Sequence, residues 1–176
     1  MGTTATSKSL GVWEINMQDL KELYQEIILD HYKHPRNFHK MENANRMVEG
    51  RNPLCGDHFT VYLLLENDVV QDISFEGAGC AISKASASLM SSVLKGKSYK
   101  EIEKLYDLFH KMVTGDKEGF SHLAELGKLA AFSGVSEYPV RVKCAILPWH
   151  AMYSALKGDA QSVSTEDTNS PEKIIN

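Results

Sequence analysis

Two strand-like runs meet at a tight turn in the middle of this chain, and everything around them has to fit that pairing. Residues 58–66 are rich in β-branched, aromatic and leucine side chains, Asn67-Asp68 is a turn pair, and residues 69–76 resume strand composition. A hairpin is predicted. It carries Cys55-Gly56-Asp57 at its entrance and Gly77-Ala78-Gly79-Cys80 at its exit. Antiparallel pairing puts entrance and exit at the same end of the sheet, so Cys55 and Cys80 meet without a long-range assumption. The third and last cysteine is Cys144.

Helical spacing accounts for most of the rest. Leu20, Leu23, Tyr24, Ile27 and Ile28 make one apolar face behind a cap at Asp19, and Pro35 marks the stop. Residues 47–50 read as a short strand before the Cys55 loop. After Cys80, the stripe Ile82, Ala85, Leu89 and Val93 predicts a helix that Gly96 ends. Cys80 then sits at a helix start, where unpaired N–H groups and the helix dipole stabilise a thiolate. Ser98-Tyr99-Lys100-Glu101 is a capping box for a helix with Ile102, Leu105, Tyr106, Phe109 and Val113 on one side. Residues 115–119 break it. Residues 120–132 predict one or two short helices with Leu123, Leu126, Leu129, Ala130 and Phe132 buried. Gly134 and Pro139 punctuate a loop, and residues 145–156 turn helical again, with Ile146, Trp149, Tyr153 and Leu156 facing the core. Pro148 fits only near a first turn, which makes Cys144 a second thiol close to a helix N-terminus.

The 176 residues suit one domain, expected over residues 17–157. Residues 1–16 read as a flexible extension, or as residues added ahead of a native start at Met17, and the polar residues 158–176 as a disordered tail. No run nears the roughly 18 apolar residues of a membrane helix, and the formal charge of -4 argues against a nucleic-acid partner. Three cysteines have the wrong parity for a disulfide framework, and the first residues lack a signal-peptide pattern, so the expected compartment is the cytoplasm.

Cys55 and Asp57, two apart on an extended backbone, share one face, and Gly56 lets the chain turn between them. With Cys80 and Cys144 they offer three sulfurs and one oxygen, a full tetrahedral set for zinc, at spacings longer than a compact zinc-finger pattern. The competing reading is three cysteines buried as small hydrophobes. Thiolates gathered around a dication leave net negative charge, which Arg141 and Lys143, on either side of Cys144, can offset. Both can equally be solvated surface charges, and Arg141 can pair with Asp57. A Cys-His hydrolase using His58 or His150 lacks any local signature.

Three ordered motifs resemble those of SufU-type proteins, relatives of the IscU-like iron-sulfur cluster assembly scaffolds. They are Asn52-Pro53-x-Cys55-Gly56-Asp57, Phe75-x-Gly77-x-Gly79-Cys80-x-Ile82-Ser83-x-Ala85-Ser86, and Pro139-x-Arg141-x-Lys143-Cys144-Ala145-x-Leu147-x-Trp149, and the match runs from about Leu20 to Leu156. The resemblance implies an α+β fold, a small antiparallel sheet packed on one face by helices. Two departures favour the SufU side. Lys143 stands where the scaffolds place a histidine, and residues 115–133 lengthen the connection between the second and third cysteines. The scaffolds' chaperone-binding motif is represented only by Glu137-Tyr138-Pro139-Val140-Arg141.

The resemblance also implies a zinc ion held by Cys55, Asp57, Cys80 and Cys144; Cys55 is the expected sulfur acceptor because its glycine-flanked loop can move most easily while Cys80 and Cys144 start packed helices, with Arg141 expected to steady Asp57 or the departing thiolate. The implied partners are a SufS-type cysteine desulfurase and other iron-sulfur assembly proteins, and the implied activity is zinc-dependent sulfur transfer. A scaffold that builds a [2Fe-2S] cluster on the same ligands is the alternative, and a module whose zinc is purely structural is a third reading.

Overall fold

The predicted hairpin is formed by β2 (Asp57–Glu66) and β3 (Val69–Ala78), paired antiparallel from His58 with Ala78 to Glu66 with Val69. Asn67 and Asp68 both take positive φ, 53° and 59°, the backbone that a two-residue hairpin turn needs to follow the strand twist. The computed structural model describes residues 16–159 and 161–165. The expectation for residues 1–16 therefore lies outside the described residues except at Asn16.

The short strand expected before Cys55 is longer than its composition indicated. β1 (Arg46–Asn52) pairs antiparallel with β2 and sets Asn52 opposite Asp57, so Cys55 sits in the turn of a second hairpin. The tail expected to lack structure also contributes a strand. β4 (Ser162–Ser164) pairs parallel with β1, and the sheet order is β3-β2-β1-β4. A three-residue polar strand has almost no hydrophobic period of its own; pairing with β1 makes it a strand.

The helices follow their local signals closely. α1 (Met17–Lys33) is capped by Asn16, whose side chain accepts the Asp19 N–H, so the cap lies three residues before the Asp19 expected from sequence. Leu23, placed on its apolar face, is exposed. α2 (Ala81–Leu94) has Cys80 as N-cap, and α3 (Tyr99–Thr114) carries the full Ser98 to Glu101 capping box and ends on a left-handed Gly115. The connection beyond it forms two short helices, α4 (Lys117–Ser121) and α5 (Leu123–Leu126), and a 3-10 stretch, Gly127–Glu137.

The last helix, α6 (Pro139–Lys157), starts six residues earlier than Pro148 suggested. Pro139 takes its first turn, where a missing N–H costs nothing. Pro148 lies inside the helix and cannot donate to the carbonyl of Cys144 four residues back. At this weakened point the buried Ser86 hydroxyl of α2 donates to the Ala145 carbonyl at 2.6 Å. The interhelical bond lies at the carbonyl next to the one that lost its donor and does not replace that donor.

α2 and α6 lie against each other and against one face of the sheet. Val48, Phe59, Val61, Leu63, Ile73 and Phe75 form the sheet side of the core, with Ala85 and Leu89 of α2 and Leu147 and Ala151 of α6 above them. A Cβ on Gly50 of β1 would stand 3.1 Å from Leu147 Cδ1, so α6 presses directly on that strand. Trp149 is fully buried and stacks on Phe109 of α3 with centroids 4.4 Å apart, which fixes α6 from behind. Sheet, α2 and α6 together bring their ends, and the three cysteines, to one place.

Candidate metal centre

Each thiol arrives on a different element. Cys55 rides the β1–β2 turn, which is closed by the N–H groups of Cys55 and Gly56 on the Asn52 carbonyl at 3.3 and 2.8 Å. Gly56 takes φ of 72°, a left-handed turn that a side chain would strain. The turn expected at Gly56, more than the extended pairing expected beside it, brings Cys55 round to Asp57. Cys55 is exposed, whereas Asp57, the first residue of β2, is buried.

Cys80 caps α2. Its sulfur accepts the Ser83 N–H at 3.5 Å and lies 3.5 Å from the Ser83 hydroxyl, so the expected thiolate-stabilising helix start is present. Its own N–H donates to Asp57 Oδ1 at 2.9 Å, and its sulfur is 3.9 Å from Asp57 Oδ2. Gly79 makes this approach possible. A Cβ there would come within 2.5 Å of Ser83 Oγ, 2.7 Å of the Phe59 ring and 2.8 Å of Asp57 Oδ1.

Cys144 is buried, with 3% of its surface exposed. Because α6 begins at Pro139, this thiol stands in the second turn and not at the helix N-terminus expected from sequence. Its sulfur is 3.5 Å from Cys55 Sγ and 3.8 Å from Asn52 Nδ2, which donates to it. The ligand atoms of Cys55, Asp57 and Cys144 all lie within 4.8 Å of one another, with Cys80 beside Asp57.

These separations suit a tetrahedral dication. Sulfur and oxygen ligands at zinc bond lengths stand about 3.5–3.8 Å apart along a tetrahedron's edges. The Cys55–Cys144 and Cys80–Asp57 pairs, at 3.5 and 3.9 Å, are close to such edge lengths, although Cys80 lies outside the mutually close set of Cys55, Asp57 and Cys144. Proton affinity is divided unevenly within the cluster. A hydrogen bond from Cys144, followed by those from the Ser83 hydroxyl and backbone, holds the Cys80 thiol well below its ordinary value. The Cys144 thiol is pushed up, chiefly by its bond to Cys80 and then by burial.

The other expected groups lie around this set. Arg141, one turn ahead of Cys144 on α6, is exposed and lies over the Tyr138 ring at 4.5 Å; among the described ion pairs it does not reach Asp57, whose oxygens face Cys80. His58 turns to the outer face of the sheet, 3.7 Å from Glu49. His150 is buried in the core, ring against ring with Tyr106 and His110. Neither histidine joins the cysteines. Asn52, Ser83 and Gly79 were quoted as motif residues without a role, since nothing local in the sequence says which main-chain group or sulfur they meet.

The family model described as the NifU-like N terminal domain matches residues 23–145. The chain is 40% identical over 134 residues to the zinc-dependent sulfurtransferase SufU of Bacillus subtilis, covering 76% of this chain and 89% of that protein. It is 42% identical over 137 residues to the iron-sulfur cluster assembly scaffold protein IscU of Thermotoga maritima, covering 78% and 94%. A crystal structure from Fervidobacterium islandicum, described as an iron-sulfur cluster assembly scaffold protein for the SUF system, superposes with a TM-score of 0.68 at 37% identity, covering 77% of this chain and 97% of that one. Among the described residues no helix is long and apolar enough to cross a membrane. A hairpin turn, a helix cap and a buried helical thiol that converge on one carboxylate fit this family, and the chain belongs to the NifU-like N-terminal domain family of iron-sulfur cluster assembly proteins, which includes SufU and IscU.

Proposed function

We propose that this chain is a zinc-dependent sulfur acceptor that takes persulfide sulfur from a SufS-type cysteine desulfurase and passes it to cytoplasmic iron-sulfur cluster assembly. In this reading Cys55, Asp57, Cys80 and Cys144 hold the zinc. The observation that carries it is the contrast between two touching thiols. Cys55 is exposed on a turn, and Cys144, 3.5 Å away, is buried in a helix. One can meet a partner's sulfur and the other cannot.

Bound zinc supplies positive charge that keeps thiols deprotonated, without redox chemistry of its own. The Cys55 thiolate attacks the terminal sulfur of the desulfurase persulfide. A new sulfur–sulfur bond forms on Cys55, the bond between the two desulfurase sulfurs breaks, and the desulfurase cysteine leaves as a thiolate. The proton of the terminal sulfur stays on that sulfur, now the outer sulfur of a Cys55 persulfide. Arg141, exposed on α6 and three residues before Cys144, offers a positive charge that steadies the departing thiolate. Asp57 holds Cys80 in place through the Cys80 N–H.

The test is to incubate the zinc-loaded chain with a SufS-type desulfurase and cysteine, then map the added sulfur by peptide mass spectrometry. It is expected on Cys55. Uptake at the wild-type rate by Cys55→Ala contradicts the assignment. The 42% identity to an IscU scaffold favours a second reading, a [2Fe-2S] cluster on the same ligands. Iron and acid-labile sulfide in place of zinc after anaerobic purification is the result that selects it.

A further inference from the structure

Asn52 lies behind the cysteines with 1% of its surface exposed, and its side chain is used at both ends. Oδ1 accepts the Leu54 N–H at 3.3 Å and the Thr165 hydroxyl at 3.2 Å, while Nδ2 donates to Cys144 Sγ at 3.8 Å. The main-chain carbonyl of the same residue closes the Cys55 turn. The Leu54 N–H can only donate, so a flipped amide would set donor against donor there and withdraw the N–H from Cys144. Thr165 adds a second donor to the same oxygen.

Thr165 comes from the far end of the chain. It follows β4, is itself buried with 8% exposed, and donates its N–H to the Arg51 carbonyl at 3.1 Å. On the other side of β4, the Glu49 N–H donates to the Gln161 carbonyl at 2.9 Å. The strand is thus anchored to β1 immediately beside Asn52, and it lies outside the 23–145 segment that the family model matches.

We propose that β4 is a positioning strap for the cysteine site, in which the Thr165 hydroxyl fixes the Asn52 amide and, through it, the hydrogen bond to Cys144 and the cover over that sulfur. Thr165 acts through Asn52 as a positioning residue. With the amide held, the Cys144 sulfur stays buried, 3% exposed, and out of reach of an electrophile. The strap therefore keeps Cys144 quiet beside an exposed Cys55. The inference concerns relative thiol reactivity and does not depend on the sulfur donor or on the metal.

The test uses the full chain, treated with a chelator so that no ion shields the thiols, and measures iodoacetamide alkylation at each cysteine by peptide mass spectrometry. Cys80, held by Asp57 and Ser83, is the internal reference. Thr165→Val keeps the shape and removes the hydroxyl; the ratio of Cys144 to Cys80 rates is expected to rise by about fivefold, the worth of one hydrogen bond. Thr165→Ser keeps the hydroxyl and is expected to restore the wild-type ratio. An unchanged ratio in Thr165→Val, including an equal rise at all three cysteines, overturns the proposal, as does a Thr165→Ser ratio as high as that of Thr165→Val.

Discussion

Asp57 Oδ1 accepts the N–H of Cys80 at 2.9 Å, which joins the start of strand β2 to the start of helix α2 across 23 residues of hairpin. The carboxylate thus has a structural bond in addition to any bond to metal. Asp57→Ala leaves that N–H without its acceptor and is expected to cost about 1–3 kcal/mol. The variant should still unfold cooperatively in urea and should bind zinc more weakly. Loss of a cooperative transition would mean that the zinc is structural and the sulfur-transfer reading is wrong.

Gly79→Ala tests the same corner from the backbone side. Its Cβ would crowd Ser83 Oγ, the buried Phe59 ring and Asp57 Oδ1 together. Shifting all three should cost about 1–3 kcal/mol in a urea titration, as overpacking commonly does, and should weaken zinc binding measured by chelator competition. Wild-type values in both measurements would show that the corner is looser than these distances state.

Ser86→Ala removes the hydroxyl that supports the Ala145 carbonyl beside Pro148. The Ala145 carbonyl still faces the Trp149 N–H within the helix, so the expected cost is that of one hydrogen bond, about 0.5–1.5 kcal/mol by equilibrium unfolding. A change under about 0.5 kcal/mol, the range of ordinary surface substitutions, would remove Ser86 from the account of how α2 holds α6.

This corner also marks where the sequence could be read and where it could not. The hairpin, the capping box and Cys80 at a helix start were legible because each is a local pattern: strand composition around Asn67-Asp68, Ser98 three residues before Glu101, and a helical stripe behind Cys80. The start of α6 was misplaced because Pro148 read as a boundary, whereas the helix runs through it from Pro139. β4 was invisible for a different reason. Ser162-Val163-Ser164 has no period to detect, and its strand conformation comes from parallel pairing with β1. The four ligand candidates were named from residue type and motif resemblance. What remained hidden was the shell around them, Asn52 and Thr165 above all, whose roles depend on contacts between distant segments.

Burial lowers the His150 imidazole to about 3 and keeps it neutral in the folded chain, with His110 adding to the shift. The unfolded chain protonates the same group near pH 6.5, so its contribution to stability is full above that value and is lost as pH falls toward 3. Between pH 7 and pH 5 the group should cost the native state about 2 kcal/mol. Urea titrations of wild type and His150→Gln at both pH values should therefore show a shallower pH dependence in the variant. Equal slopes would mean that His150 gains its proton in the folded state as easily as in the unfolded one.

The central claim is that Cys55 accepts sulfur from a desulfurase, and alanine release from cysteine by a SufS-type enzyme reads it most directly. Release should rise severalfold when the zinc-loaded chain is added and return to the enzyme's own rate with Cys55→Ala. No rise with zinc confirmed bound, or an equal rise with Cys55→Ala, would contradict the account.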